Sequence, residues 1–291
     1  MKTVYEQLTV MSIEQKTMDN FYQSCLTLFD CPWSRYAFTN EEMDEILTRS
    51  MRFYDGPNPE KRKRAWATYV DLIGHMVLAR KIVNQRALVG FCVLNNLLFD
   101  WEDNLCSLQT IDEMVNEIET IVKDYFPENF QRQVYTSWVN AAYCYYIDRK
   151  YNIKEKVCND PDELYHFFRL SDAGIIPFLI ALTVVYEDRD LLYITAQEYV
   201  SGLGMKPFMH VNDVFSFNKE INDKELANEV VIRLTKTAIS TETLLKDLLN
   251  EIEISIDKIK ELFPELYPVF IFWLRGNLEW SYITYRYHDN K

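Results

Sequence analysis

The chain has 291 residues, 48% of them hydrophobic and 14% aromatic, enough to fill one large core or two small ones. Lys and Arg number 31 against 44 Asp and Glu, and the net charge of −13 argues against nucleic acid or an anionic membrane as the main partner. Seven Gly and nine Pro are too few for the tight turns of a sandwich or a doubly wound sheet, so an all-α fold with short connections is expected. The six cysteines (Cys25, Cys31, Cys92, Cys106, Cys144, Cys158) show no C-x-x-C spacing and read as reduced thiols. The N-terminus lacks the apolar core of a signal peptide and no run approaches 18 apolar residues, so a soluble, cytoplasmic protein is expected.

Residues 1–59 read as a cap segment, with a helix-like patch over 21–29 and a helix from Thr39 and Asn40 to about Tyr54, ended by the turn at 55–59. A helix begins near Glu60. Its basic run, Lys61, Arg62, Lys63 and Arg64, reads as a solvated first turn in an acidic chain. Apolar residues then recur at helical spacing over 66–80 and 86–101. The second run is apolar on nearly all sides and should be a central helix. Its C-terminal end carries Asp100, Asp103 and Asn104 on one face, with Asn96 one turn earlier. Carboxylates there oppose the helix macrodipole unless a positive charge, such as a metal ion, sits close by.

Helices are expected over 110–126, opened by a Thr110/Glu113 capping box, and over 130–151. A polar stretch, 152–162, leads to a helix containing Arg169, interrupted by Gly174 and Pro177. Another apolar helix is expected over 178–200, followed by a flexible bend at 201–207. Further helices should cover 225–237 and 242–263, and Pro264 and Pro268 turn the chain into a last element rich in aromatic residues.

The stretch 211–220 reads VNDVFSFNKE and places Asn212, Ser216 and Glu220 four residues apart. On a helix they share one face, drifting by roughly 40° per step over about 12 Å, and their oxygens suit a hard cation. One carboxylate, one amide and one hydroxyl are too weak to hold Mg²⁺ alone, because that ion keeps waters or shares its shell with phosphates. The same residues are also ordinary on a solvated helix face. Lys219 adds a charge that seeks phosphate.

This string resembles the second metal motif of class I terpene synthases, Asn-Asp-x-x-Ser-x-x-x-Glu with Lys before the Glu. Asp100 falls at the leading position of that family's first motif, Asp-Asp-x-x-Asp. Trp101 replaces the second Asp, Asn104 stands where the last acid is expected, and Asp103 is one place early. Arg169 corresponds to the family's diphosphate-sensing arginine, and Asp172 and Ala173 to its linker and effector positions. Gly276-Asn277-x-x-Trp280 followed by Arg286-Tyr287 resembles the microbial C-terminal signature.

The resemblance covers most of residues 60–291 and implies a single-domain α-helical bundle of the class I terpenoid synthase fold, with a central active-site cavity. It further implies three Mg²⁺ ions bound together with diphosphate by Asp100, Asp103 or Asn104, Asn212, Ser216 and Glu220. Arg169, Lys219, Arg286 and Tyr287 would bind diphosphate oxygens, while Asn96, Phe99, Phe208 and Trp280 would face the hydrocarbon. The implied reaction ionises a prenyl diphosphate, farnesyl diphosphate before the geranyl or geranylgeranyl ester, in a monomer or homodimer. A chain-elongating prenyl diphosphate synthase should carry two Asp-Asp-x-x-Asp motifs, which the second site here does not match. A helical binding protein with a decayed metal site is the non-enzyme alternative.

Overall fold

A computed structural model describes residues 12–103, 105–151, 174–195, 198–223, 228–237 and 239–284. The protein is all-α, with no strand among the described residues. In chain order the helices are α1 (Gln15–Leu28), α2 (Asn40–Met51), α3 (Pro59–Met76, extended by a 3₁₀ turn, Val77–Ala79), α4 (Gln85–Glu102), α5 (Ile111–Tyr125) and α6 (Glu128–Tyr151). There follow α7 (Ile175–Val185), α8 (Arg189–Thr195), α9 (Glu198–Asp223), α10 (Glu229–Lys236), α11 (Thr241–Leu262) and α12 (Tyr267–Ile283). No helix among the described residues is long and apolar enough to cross a membrane.

The chain divides into two compact units. One is built from described residues 34–151 and 174–201 around α4, which packs against α2, α3, α5, α6 and α7. The apolar run over 86–101 is the cause: 14 residues of α4, from Ala87 to Trp101, are buried, so it has no solvated face to present. Gly90 lets α5 close on it, since a Cβ there would stand 2.3 Å from Tyr125 Cβ. Local chemistry sets the helix starts. Thr39 with Glu42 and Thr110 with Glu113 form reciprocal capping boxes. Asn84 caps α4 by accepting from Ala87 N at 2.9 Å. Gly174, at φ 66°, precedes α7 in the left-handed region, and Pro177 lies in that helix's first turn, where its missing N–H costs nothing.

The helix expected over 178–200 breaks instead at Tyr186–Asp188. Glu187 adopts φ 54°, held by Asn84 Nδ2 donating to its Oε1 at 2.9 Å, and Asp188 Oδ1 accepts from Leu191 N to open α8.

The other unit, described residues 12–33 and 202–284, packs α1 against α11 and α12, and α11 against α10 and α12. Within the expected cap segment, α1 buries Met18, Phe21 and Cys25, with Phe21 edge-on to Phe215 of α9. The expected bend at 201–207 is absent, because α9 runs through it as one helix despite Pro207. Gly204 has no side chain to keep Phe270 away, as a Cβ there would meet that ring at 2.9 Å. Tertiary packing thus overrides the local helix-breaking signal.

Candidate active site

The C-terminal part of α4 carries Asn96, Phe99 and Asp100, and Asp103 is its C-cap. Asp100 is 1% exposed, and its Oδ1 accepts three N–H groups from α3: Arg62 Nε at 2.6 Å, Arg62 Nη2, and Trp66 Nε1 at 2.9 Å. Arg62 Nη1 also lies 3.3 Å from Asp103 Oδ2, and Asp103 stands at the surface. The positive charge demanded by carboxylates at a helix C-terminus is therefore supplied within the chain. This corrects the reading of the basic run: Lys61 and Arg64 are exposed and Lys63 is half-exposed, but Arg62 is buried. The spacing held the signal, since Arg62 precedes the buried Trp66, Tyr69, Val70 and Ile73 on the inward stripe of α3.

Burial raises the Asp100 carboxyl from 3.8 to about 6, against the downward pull of Arg62 and Trp66. Burial works to lower Arg62, and Asp100 more than reverses it, leaving the guanidinium above its ordinary value.

Trp101, where the resemblance has a second carboxylate, is buried. Its Nε1 donates to Ala142 O at 3.3 Å, and the Arg149 guanidinium lies 5.0 Å from its ring centre. Asn96 is fully buried and donates to Ser50 Oγ at 3.0 Å, while its Oδ1 has no partner among the described residues. Phe99 stacks on Tyr69 with ring centres 4.1 Å apart.

In the other unit, α9 places Asn212, Ser216 and Glu220 on one face, with Ser216 buried and the other two half-buried. Glu220 Oε2 accepts from Asn228 Nδ2 at 2.7 Å, and Ser216 Oγ lies 3.4 Å from the same nitrogen. Asn228, the N-cap of α10, also donates to Asp213 O at 2.7 Å, and its Oδ1 accepts from Val230 N and Val231 N. The Asp213 carboxylate points elsewhere than this face and accepts from Glu229 N at 2.9 Å.

Farther along, Arg233 bridges Glu229 and Glu251, each at 2.6 Å, and Glu251 lies 3.2 Å from His210 Nε2. Burial works to raise Glu251, but hydrogen bonds from His210 and Arg233 outweigh it and hold the carboxyl well below its ordinary value. Lys219 is half-buried. Phe208 packs edge-on to Phe270 at 6.0 Å, and Trp280 is buried. Asn104, Arg169, Asp172, Ala173, Arg286 and Tyr287 lie outside the described residues. Sequence reasoning missed Arg62, Trp66 and Asn228. Asn228 lies eight residues past Glu220, and a carboxamide just before the apolar turn Val230–Ile232 was its one cue, as a helix cap.

The donor set on α9 fits a hard cation. Two of its three oxygens already converge on a single nitrogen, and all are neutral or carboxylate oxygen. Among the described residues no group of three or more His, Cys, Asp or Glu that could hold a metal ion assembles.

No family model matches the chain. It is 23% identical over 226 residues to cyclooctat-9-en-7-ol synthase of Streptomyces melanosporofaciens, covering 76% of this chain and 72% of that protein. It is 26% identical over 168 residues to terpene synthase 4 of Dictyostelium discoideum, covering 55% of this chain and 44% of that one. Among solved structures, an a-eudesmol synthase matches with TM-score 0.61 and 13% identity over 87% of this chain and 97% of its own. A linalool/nerolidol synthase from Streptomyces clavuligerus matches with TM-score 0.57 and 12% identity over 86% and 98%. The fold is that of the class I terpenoid synthases. At the level of sequence, the two relatives that this chain is similar to are both named as synthases, one of them a terpene synthase.

Proposed function

We propose that the chain is a Mg²⁺-dependent terpene synthase, a carbon–oxygen lyase that ionises a prenyl diphosphate, farnesyl diphosphate first, and cyclises the cation to a sesquiterpene. The observation that carries this reading is the convergence of Ser216 Oγ and Glu220 Oε2 on one point beside α9, in a stretch matching the family's second metal motif. The names of the relatives denote different products, so they support the reaction class and leave the skeleton open.

Asp100, with Asp103 or Asn104, and the Asn212, Ser216, Glu220 set would hold the metal. Bound Mg²⁺ supplies the charge that neutralises diphosphate as it departs. The allylic carbon–oxygen bond breaks with its electron pair leaving on diphosphate, whose oxygens Arg169, Lys219, Arg286 and Tyr287 bind. Asp172 and Ala173 take the linker and effector roles. Asn96, Phe99, Phe208 and Trp280 face the hydrocarbon, and each desolvated aromatic face stabilises a passing cation by ~1 to 2 kcal/mol. A strong general base is not required, because diphosphate takes the proton that the final cation loses.

The test is incubation of purified protein with geranyl, farnesyl and geranylgeranyl diphosphate in turn, with Mg²⁺, followed by gas chromatography and mass detection, with Glu220→Gln as control. A cyclic hydrocarbon or alcohol from one substrate, lost in the control, is expected. A longer prenyl diphosphate, formed only when isopentenyl diphosphate is added as the second substrate, would indicate chain elongation instead, and unreacted substrate from all three, in folded protein, would refute the synthase reading.

A further inference from the structure

Asp213 and Asn228 have no metal role in the motif, yet they make the contacts that fix the ligand face. The Asn228 side chain is fully buried, and its two ends do separate work. The carbonyl Oδ1 accepts from Val230 N at 2.8 Å and Val231 N at 3.2 Å, which starts α10. The amino group reaches back to α9, donating to Asp213 O and Glu220 Oε2 at 2.7 Å each and facing Ser216 Oγ at 3.4 Å. With two hydrogens for three acceptors, the two short contacts are the bonds proper, and the serine oxygen is held by proximity.

The start of α10 cannot drift away from α9, because Glu229 N donates to Asp213 Oδ2 and the Arg233 bridge ties Glu229 to Glu251 of α11. Asn228 is thus anchored on three sides while it grips one oxygen of the Glu220 carboxylate. An amide nitrogen has no lone pair for a cation, so Asn228 is not a ligand itself.

We propose that Asn228 is a positioning residue for the cation site on α9: its amino group, which also stands beside Ser216 Oγ, aims Glu220 before any ion arrives. The proposal rests on the metal-dependent reading above. Groups that orient a metal's ligands change affinity by about 10- to 100-fold when removed, without touching the ion.

Two substitutions separate the two ends of the side chain. Asn228→Ser keeps an oxygen that caps α10 but lacks the donor that reaches Glu220, and Asn228→Ala removes both. Each is compared with wild type by its melting midpoint without metal, by calorimetric titration of Mg²⁺ in the presence of inorganic diphosphate, and by the Mg²⁺ concentration giving half-maximal turnover of the active prenyl diphosphate. The expected result is a Mg²⁺ affinity lowered about tenfold or more in both variants. The midpoint should fall clearly only in Asn228→Ala, with turnover at saturating Mg²⁺ retained in Asn228→Ser. If Asn228→Ser titrates like wild type, the residue is a helix cap alone and the proposal is overturned while the metal-dependent reading stands. If wild type itself takes up no Mg²⁺ with diphosphate, both are overturned.

Discussion

Substituting Arg62 by Met removes the guanidinium from Asp100 while keeping most of the buried side-chain volume. Asp100 is 1% exposed, and burial moves its carboxyl from 3.8 to about 6. At ~1.4 kcal/mol per pH unit, that gap makes ionisation in the folded state cost about 3 kcal/mol even with Arg62 present. Because the folded value lies above the unfolded one, the folded protein keeps the proton longer between about pH 4 and pH 6. The stability contributed by Asp100 is full below pH 4 and is lost as pH rises through 6.

Without Arg62 the folded value climbs further, so the loss extends to higher pH. At pH 7.5 an uncompensated buried carboxylate should cost about 3 to 5 kcal/mol, roughly 6 to 10 °C in melting midpoint. At pH 5, where Asp100 is largely neutral, the cost should be small. Asp100→Asn added to Arg62→Met should restore most of the midpoint at pH 7.5. Circular dichroism melts of wild type, both single variants and the double variant at the two pH values measure this. An equal loss at both pH values with no rescue by Asp100→Asn would show that Arg62 acts by packing and not by charge.

Glu251→Gln should lower stability at pH 7 by about 1 to 3 kcal/mol, since it weakens the bonds from Arg233 and His210. The Glu251 carboxyl is held below its ordinary 4.5, so its contribution is full above that pH and is lost below it, and the melts of the variant and wild type should converge in acid. Gly90→Ala should destabilise by about 1 to 3 kcal/mol, because the added Cβ meets Tyr125 Cβ rather than the far end of a flexible side chain. A urea titration with unchanged midpoint would mean that α4 and α5 part without cost.

The elements legible in the sequence are those whose cause is local. The apolar run over 86–101 announces α4 because it is apolar on nearly all sides, and the capping boxes at Thr39 and Thr110 depend only on residues three positions apart. Elements set by distant partners were misread. The bend expected at 201–207 is part of one continuous helix, in which Phe270, far along the chain, fills the space left by Gly204. The break at Glu187 is held by Asn84, which lies 103 residues earlier in the chain. Neither partner announces itself in a window of a few residues.

The two metal motifs show how far a motif reaches. A match names Asp100 and Glu220 as candidate ligands and treats them alike, as carboxylates awaiting cations. The bonds described to them differ in charge. Asp100 is bonded by a buried guanidinium, so a cation coming to it meets a carboxylate whose attraction is already partly neutralised. Glu220 is bonded by the neutral amide of Asn228, a contact that orients the carboxylate without itself neutralising it. Arg62 and Asn228 come from the start of α3 and the start of α10, so the bonds that distinguish the two candidate ligands are made by residues outside the motifs that name them.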